Sequence, residues 1–213
     1  MISLKKRKQR LIAEANLARE LFTKFNKFPP SPEATLWSSG VVNHIWQAWC
    51  RFWRYYWLVH IQGGRGTSGI LISGSHSGSA EPVAVYHLLI LAGRKKIGTK
   101  GRITSSYQEV TWGDIQKIQD IANSLLPAYP NLVTVQLAAT IHGQSIGHLQ
   151  VVRNCHIHPS QSSRANTHAL AAHYLVKSSR FTPSELVLST EIKSGRMAIV
   201  QWVDSIIDFA MMV

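Results

Sequence analysis

Apolar residues recur at three- and four-residue steps from Leu11 through Ile12, Ala15, Ala18, Leu21, Phe22 and Phe25. That stripe predicts an amphipathic helix over Lys5 to Phe25 whose other face is basic. Pro29-Pro30, in the break from Asn26 to Pro32, predicts its stop and an extended connection. A second helix is expected from Ser38 or Ser39 to about Gln62, closed by Gly63-Gly64. Trp46, Trp49, Trp53 and Tyr56 lie on one side of it with Arg51 and Arg54 nearby, a pattern that fits a core or subunit interface and, as a sharper alternative, a platform for unpaired bases. A membrane-surface helix is a third reading.

The segment Gly63 to Gly78, rich in glycine and serine around Ile70-Leu71-Ile72, reads as a loop with one short strand. It lacks the Gly-Lys-Ser/Thr ending of a nucleotide-triphosphate loop. Glu81-Pro82 opens a helix through Leu91 that stops at Gly93. Thr111 with Asp114 resembles a capping box ahead of the stripe Ile115, Ile118, Ile121, Ala122 and Leu125. A further helix is expected from Leu132 to Val152, although Val133-Thr134-Val135 has strand character and Gly143 and Gly147 weaken the pattern. Ser162 or Ser163 is expected to cap a helix reaching Lys177. Thr182-Pro183-Ser184-Glu185 begins another, and Met197 to Val213 forms an apolar last helix. The pattern is that of an all-α protein.

Charge adds an asymmetry. Residues 1–108 carry 16 Lys and Arg against 4 acidic residues, whereas residues 109–213 carry 7 against 7. The formal net charge of +12 therefore resides in the first half, as expected of a surface that meets a polyanion such as RNA, DNA or an acidic partner. Arg94, Lys95, Lys96, Lys100 and Arg102 form a cationic connector and are candidate RNA contacts. Two cysteines, Cys50 and Cys155, are too few for a disulfide framework. No run of 18 apolar residues is present, and Lys5 to Lys8 is not followed by a signal-peptide core, so a cytoplasmic location without a transmembrane segment is expected.

Chemistry concentrates in Arg153-Asn154-Cys155-His156-Ile157-His158, placed after one helical pattern and followed by Pro159, a polar stretch and another helical pattern. A fixed guanidinium can fork two N–H donors onto a phosphate, and an imidazole can move protons near neutrality. On a straight helix His156 shares the face of Arg153, while His158 does so only if the chain bends before Pro159. Arg164 and His168, at i and i+4 on the following helix, could border the same cleft as RNA contacts. His142, His148, His156 and His158 do not make a zinc-ligand pattern, and neither a metal nor another cofactor is expected.

The order of Arg, a polar residue, and a His four residues further on resembles the signature of the HEPN superfamily of ribonuclease domains. The resemblance covers about residues 109–213. It implies an all-α helical bundle, with residues 1–30 as a basic N-terminal helix and 31–213 as a single helical domain that begins with an aromatic-rich extension. It also implies a homodimer with the two motifs facing one another, and metal-independent RNA cleavage through the 2′-hydroxyl. Arg153 would then hold the scissile phosphate, Asn154 would fill the polar position, His158 would act as general base or acid, and His156 would assist or contact the substrate. Toxins and anti-phage effectors of this superfamily imply RNA as substrate and an antitoxin or other defence-system protein as partner. A non-catalytic helical module that binds RNA or a protein is the alternative.

Overall fold

A computed structural model describes residues 2–25, 31–94, 101–178 and 180–213. The chain is mostly helical. Among the described residues the elements are α1 (Leu4–Phe25), α2 (Pro32–Gln62), β1 (Gly64–Arg65), β2 (Leu71–Ile72), α3 (Glu81–Leu91), α4 (Ile115–Leu125), α5 (Val133–Ile157), α6 (Gln161–Ala169), β3 (Tyr174–Leu175), α7 (Pro183–Leu188), β4 (Thr190–Glu191) and α8 (Ala198–Met212). No described helix is long and apolar enough to cross a membrane.

The chain divides into two compact units. The first comprises Met1–Ile12, Trp49–Ile141 and Phe209–Val213, and the second Ala13–Ala48 and His142–Asp208. Charge follows this division less sharply than it follows the halves of the sequence, since the first unit has 14 Lys and Arg against 4 carboxylates and the second 9 against 7.

In the first unit the rings of α2 form the core. Trp49 and Trp53 lie 5.3 and 5.2 Å from Phe209, both edge-on, and Trp49 donates its indole N–H to the Gly113 carbonyl at 2.9 Å. Because Trp49, Phe52, Trp53, Tyr56 and Trp57 are buried, these rings are core and cannot receive bases. Arg54, suggested by the sequence as a neighbour of stacked bases, instead binds the Glu109 carboxylate through Nε and a terminal nitrogen at 2.7 and 2.9 Å. It also reaches Glu81 at 2.8 Å, while Trp112 donates to Glu109 at 2.6 Å. This pairing supplies partners for Arg54, Glu109 and the Trp112 indole, whereas the Trp53 and Trp57 indole nitrogens are buried with no hydrogen-bond partner among the described residues.

The glycine-rich segment forms a two-stranded antiparallel hairpin, β1 with β2, where one strand was expected. Arg65 N–H donates to the Ile2 carbonyl at 3.0 Å, tying the start of the chain to the hairpin. Lys8 donates to the Met211 and Val213 carbonyls at 3.3 and 3.1 Å. Asp114 caps α4 itself, accepting from Lys117 N–H at 3.1 Å, so it is the N-cap and not the third residue of a box begun by Thr111.

In the second unit, Ala15, Ala18 and Phe22 of α1 are buried, as are Val42, Ile45 and Trp46 of α2, Ile146, Leu149 and Val152 of α5, and Ile199, Trp202, Val203 and Ile206 of α8. Phe22 packs edge-on against Trp37 at 4.7 Å, and the buried Ser38 and Ser184 hydroxyls meet at 3.0 Å. Helix α2 starts before Ser38 because Pro32 occupies its first position, where the missing N–H costs nothing. The helix expected to reach Lys177 stops at Ala169. A 3₁₀ turn, Leu170–His173, then leads to β3, which pairs antiparallel with β4. Its cap is Ser160, in a reciprocal box with Ser163, and not Ser162 or Ser163.

Candidate functional site

The motif lies within the second unit, at the end of α5. This helix continues beyond Val152 through the polar residues, because hydrogen bonding within the backbone does not require an apolar side chain. The His158 N–H still donates to the Asn154 carbonyl at 2.8 Å, one residue past the helix end. No bend turns His158 back. On a regular helix His156 is rotated about 60° from Arg153, and His158 about 140°. The face that Arg153 shares within one chain is therefore that of His156.

Arg153 is half-buried and held from two sides: Nε donates to Asn43 Oδ1 on α2 at 3.0 Å, and a terminal nitrogen donates to Asn154 Oδ1 at 3.2 Å. Both acceptors are neutral amides, and no carboxylate among the described residues pairs with this guanidinium. Arg54 is bound by two carboxylates, and Arg19 and Arg196 both pair with Asp204. Arg153 thus combines a fixed orientation with an uncompensated positive charge, a combination suited to an incoming phosphate.

His156 is half-buried, and its Nε2 is buried without a hydrogen-bond partner among the described residues. Burial pushes this imidazole below its ordinary pKa, so it is neutral over a wider range. His158 is exposed, and its carbonyl accepts from the Ser163 hydroxyl at 2.9 Å, which locks the turn between α5 and α6. Arg164 and His168 are exposed on α6, with the His168 ring 4.6 Å from that of Phe181.

Arg94 and Arg102 are exposed in the first unit, whereas Lys95, Lys96 and Lys100 lie outside the described residues. Among the described residues no group of three or more His, Cys, Asp or Glu is arranged to hold a metal ion.

A second polar cluster, in the second unit, escaped sequence reasoning. Tyr174 Oη lies 2.6 Å from His148 Nδ1 and accepts the Trp202 indole N–H at 2.7 Å; the His148 and His173 rings are 4.9 Å apart. Burial, then the charge of His173, lower the His148 pKa to about 4 against an opposing effect of Glu191. Burial, outweighing the Trp202 hydrogen bond, pushes the Tyr174 phenol up to about 12. Tyr174 is brought there by the β3–β4 pairing, for which the local sequence has no periodic signal.

No family model matches the chain, and comparison with curated proteins and with solved structures finds no match.

Proposed function

We propose that the chain is a HEPN-like, metal-independent endoribonuclease that acts as a homodimer. The observation that carries this reading is the Arg153 guanidinium, oriented by Asn43 and Asn154 yet not neutralised by a carboxylate, at a helix end beside the titratable His156 and His158. In the reaction, an imidazole removes the proton of a ribose 2′-hydroxyl and the 2′-oxygen attacks the adjacent phosphorus. The bond to the 5′-oxygen breaks as that oxygen gains a proton, leaving a 2′,3′-cyclic phosphate and a 5′-hydroxyl. Arg153 stabilises the charge that accumulates on the phosphoryl oxygens. His158 is the assigned proton carrier. A two-fold axis would present each His158 to the other chain's Arg153, so the angle between them within one chain is no obstacle. Growth arrest as a toxin or anti-phage effector, restrained by an antitoxin or other defence protein, is the biological role this activity implies.

The regular course of α5 also favours a second reading, a non-catalytic RNA- or partner-binding module, because it leaves Arg153 and His158 on different sides of one helix. Incubating the purified protein with labelled single-stranded RNA in chelator separates the two. Cleavage with cyclic phosphate ends supports the enzyme, whereas binding without cleavage at any protein concentration supports the module.

A further inference from the structure

Ile70 and Leu71 of the first unit are exposed at 71% and 61%, side by side where the chain turns from β1 into β2. Single exposed aliphatic residues are ordinary on a protein surface, but two in succession at a turn call for a partner. The turn is closed by its own groups. Gly66 N–H donates to the Ile70 carbonyl at 2.8 Å, Gly69 N–H to the Gly66 carbonyl at 3.1 Å, and an Arg65 terminal nitrogen to the Gly69 carbonyl at 3.2 Å. Gly69, at φ +87°, supplies the left-handed step that this closure needs. These internal bonds lower the cost of taking the turn out of water. Behind the two side chains lies a pocket of about 520 Å³, lined by Leu4, Tyr56, His60, Ile72 and Tyr129 among others and by no Lys, Arg, Asp or Glu. Burial holds the His60 imidazole below its ordinary pKa, so the lining side chains are uncharged at neutral pH. No charged side chain of that lining has to be dehydrated when the turn meets an apolar medium.

Cations flank the turn. Arg65 stands opposite Leu71 in the β1–β2 register, and its backbone N–H, bonded to the Ile2 carbonyl, ties the hairpin to the segment that leads into α1. Lys5 and Lys6 follow in the first turn of α1, exposed and without an ion pair among the described residues. Arg65 gives its donor to a neutral carbonyl and keeps its charge. Residues 1–12 and 63–80 contain no Asp or Glu. The four carboxylates of the unit are engaged elsewhere: Glu81 and Glu109 on Arg54, Asp120 on Lys117, and Asp114 as the cap of α4.

Exposed aliphatic side chains with ammonium and guanidinium groups beside them complement a bilayer of anionic lipid. The aliphatic groups enter the acyl boundary while the cations meet the headgroups, which long Lys and Arg side chains can reach from an apolar base. A single-stranded nucleic acid would call for aromatic rings on which bases stack, and Trp49, Trp53 and Tyr56 of α2 are buried. We propose that the β1–β2 turn is a docking surface for an anionic lipid bilayer, with Ile70 and Leu71 at the acyl boundary and Lys5, Lys6 and Arg65 on the headgroups. The assignment does not depend on the ribonuclease reading, whose motif lies in the other unit.

Sedimentation of the full chain with sucrose-loaded vesicles tests it. Vesicles of equimolar phosphatidylcholine and phosphatidylserine should carry the protein down at low salt, and vesicles of phosphatidylcholine alone should bind it at least about tenfold more weakly. Ile70→Ser with Leu71→Ser should weaken partition by at least about tenfold, since each side chain contributes even when partly buried. Lys5→Gln with Lys6→Gln should weaken it about 30-fold, from about fivefold for each cation near the surface. Leu71→Trp should bind at least as well as the unaltered protein, because an indole favours the bilayer interface. Leu17→Ser with Leu36→Ser removes exposed aliphatic groups from the second unit and should have no effect. Circular dichroism and the melting temperature of each variant separate lost binding from lost folding. Failure to sediment with the anionic vesicles, partition unchanged by the Ile70 and Leu71 pair, or an equal loss from the second-unit pair would overturn the assignment. So would binding to an oligodeoxythymidylate that is lost in the Lys5 and Lys6 pair while no vesicle binding appears, the behaviour of a nucleic-acid surface.

Discussion

Replacing Tyr174 by Phe removes one oxygen that serves two buried partners. The Trp202 indole N–H can only donate, so the Tyr174 hydroxyl accepts it at 2.7 Å, and the same hydroxyl shares a hydrogen bond with His148 Nδ1 at 2.6 Å. Burial, which lowers its pKa to about 4, keeps His148 neutral at pH 7. Phe keeps the ring but strands both partners, and each orphaned buried group costs about 1–3 kcal/mol. Trp202 is fully buried and belongs at the upper end of that range; His148 is partly exposed and belongs at the lower. The sum is about 2–4 kcal/mol, or a melting temperature lowered by roughly 4–16 °C for a chain of this size. Thermal unfolding followed by circular dichroism at pH 7 measures it. A melting temperature within about 2 °C of the unaltered protein would refute the reasoning.

The same network sets a pH dependence. The folded-state pKa of His148, about 4, lies below the ordinary 6.5, so between these values the unfolded chain binds more protons. Stability is complete above about pH 6.5 and falls on acidification toward pH 4. The full shift corresponds to about 3.4 kcal/mol. Solvent screening at this partly exposed ring reduces the expected loss to about 1–2 kcal/mol. His148→Gln, whose amide can still hydrogen-bond Tyr174 but does not titrate, should flatten the dependence.

Glu109→Ala should destabilise the first unit by about 1.5–3 kcal/mol in urea titration, because it removes the bidentate partner of Arg54 and the acceptor of Trp112 while Glu81 still pairs with Arg54. Gly113→Ala should cost about 1–3 kcal/mol in the same titration, since the new Cβ would fall 2.5 Å from Trp49 Cδ1 and 2.8 Å from Cys50 Sγ. Neutralising Lys95, Lys96 and Lys100 tests the cationic connector: the salt slope for RNA should fall by about 0.7 for each phosphate that one of these lysines neutralises, while an unchanged slope would mark the segment as a solubility feature.

Helices that bury an amphipathic stripe were legible from the sequence. Leu11, Ala15, Ala18 and Phe22 point inward on α1 as their spacing requires, and Glu81-Pro82 and Thr182-Pro183 start helices where Pro fits the first turn. Ends set by non-local partners were not. Helix α6 gives way to β3 because Tyr174 and Leu175 pair with Glu191 and Thr190, residues that no local window includes. Helix α5 extends past Val152 because Asn154 can accept from His158, although the side chains there are polar. At the candidate site the residue types of the motif were readable. The Asn43 amide that orients Arg153 lies 110 positions away, and Tyr174 lies 26 positions from His148, so neither contact leaves a trace in spacing.

The central claim is tested by comparing Arg153→Ala, His158→Ala and His156→Ala with the unaltered protein on labelled single-stranded RNA in EDTA, with oligomeric state and melting temperature recorded for each. The account predicts cleavage by the unaltered protein, its loss in Arg153→Ala and His158→Ala with dimerisation retained, and a smaller loss in His156→Ala. Full activity in His158→Ala with none in His156→Ala would transfer the proton-carrying role to the imidazole on the Arg153 face, and full activity in Arg153→Ala would contradict the claim.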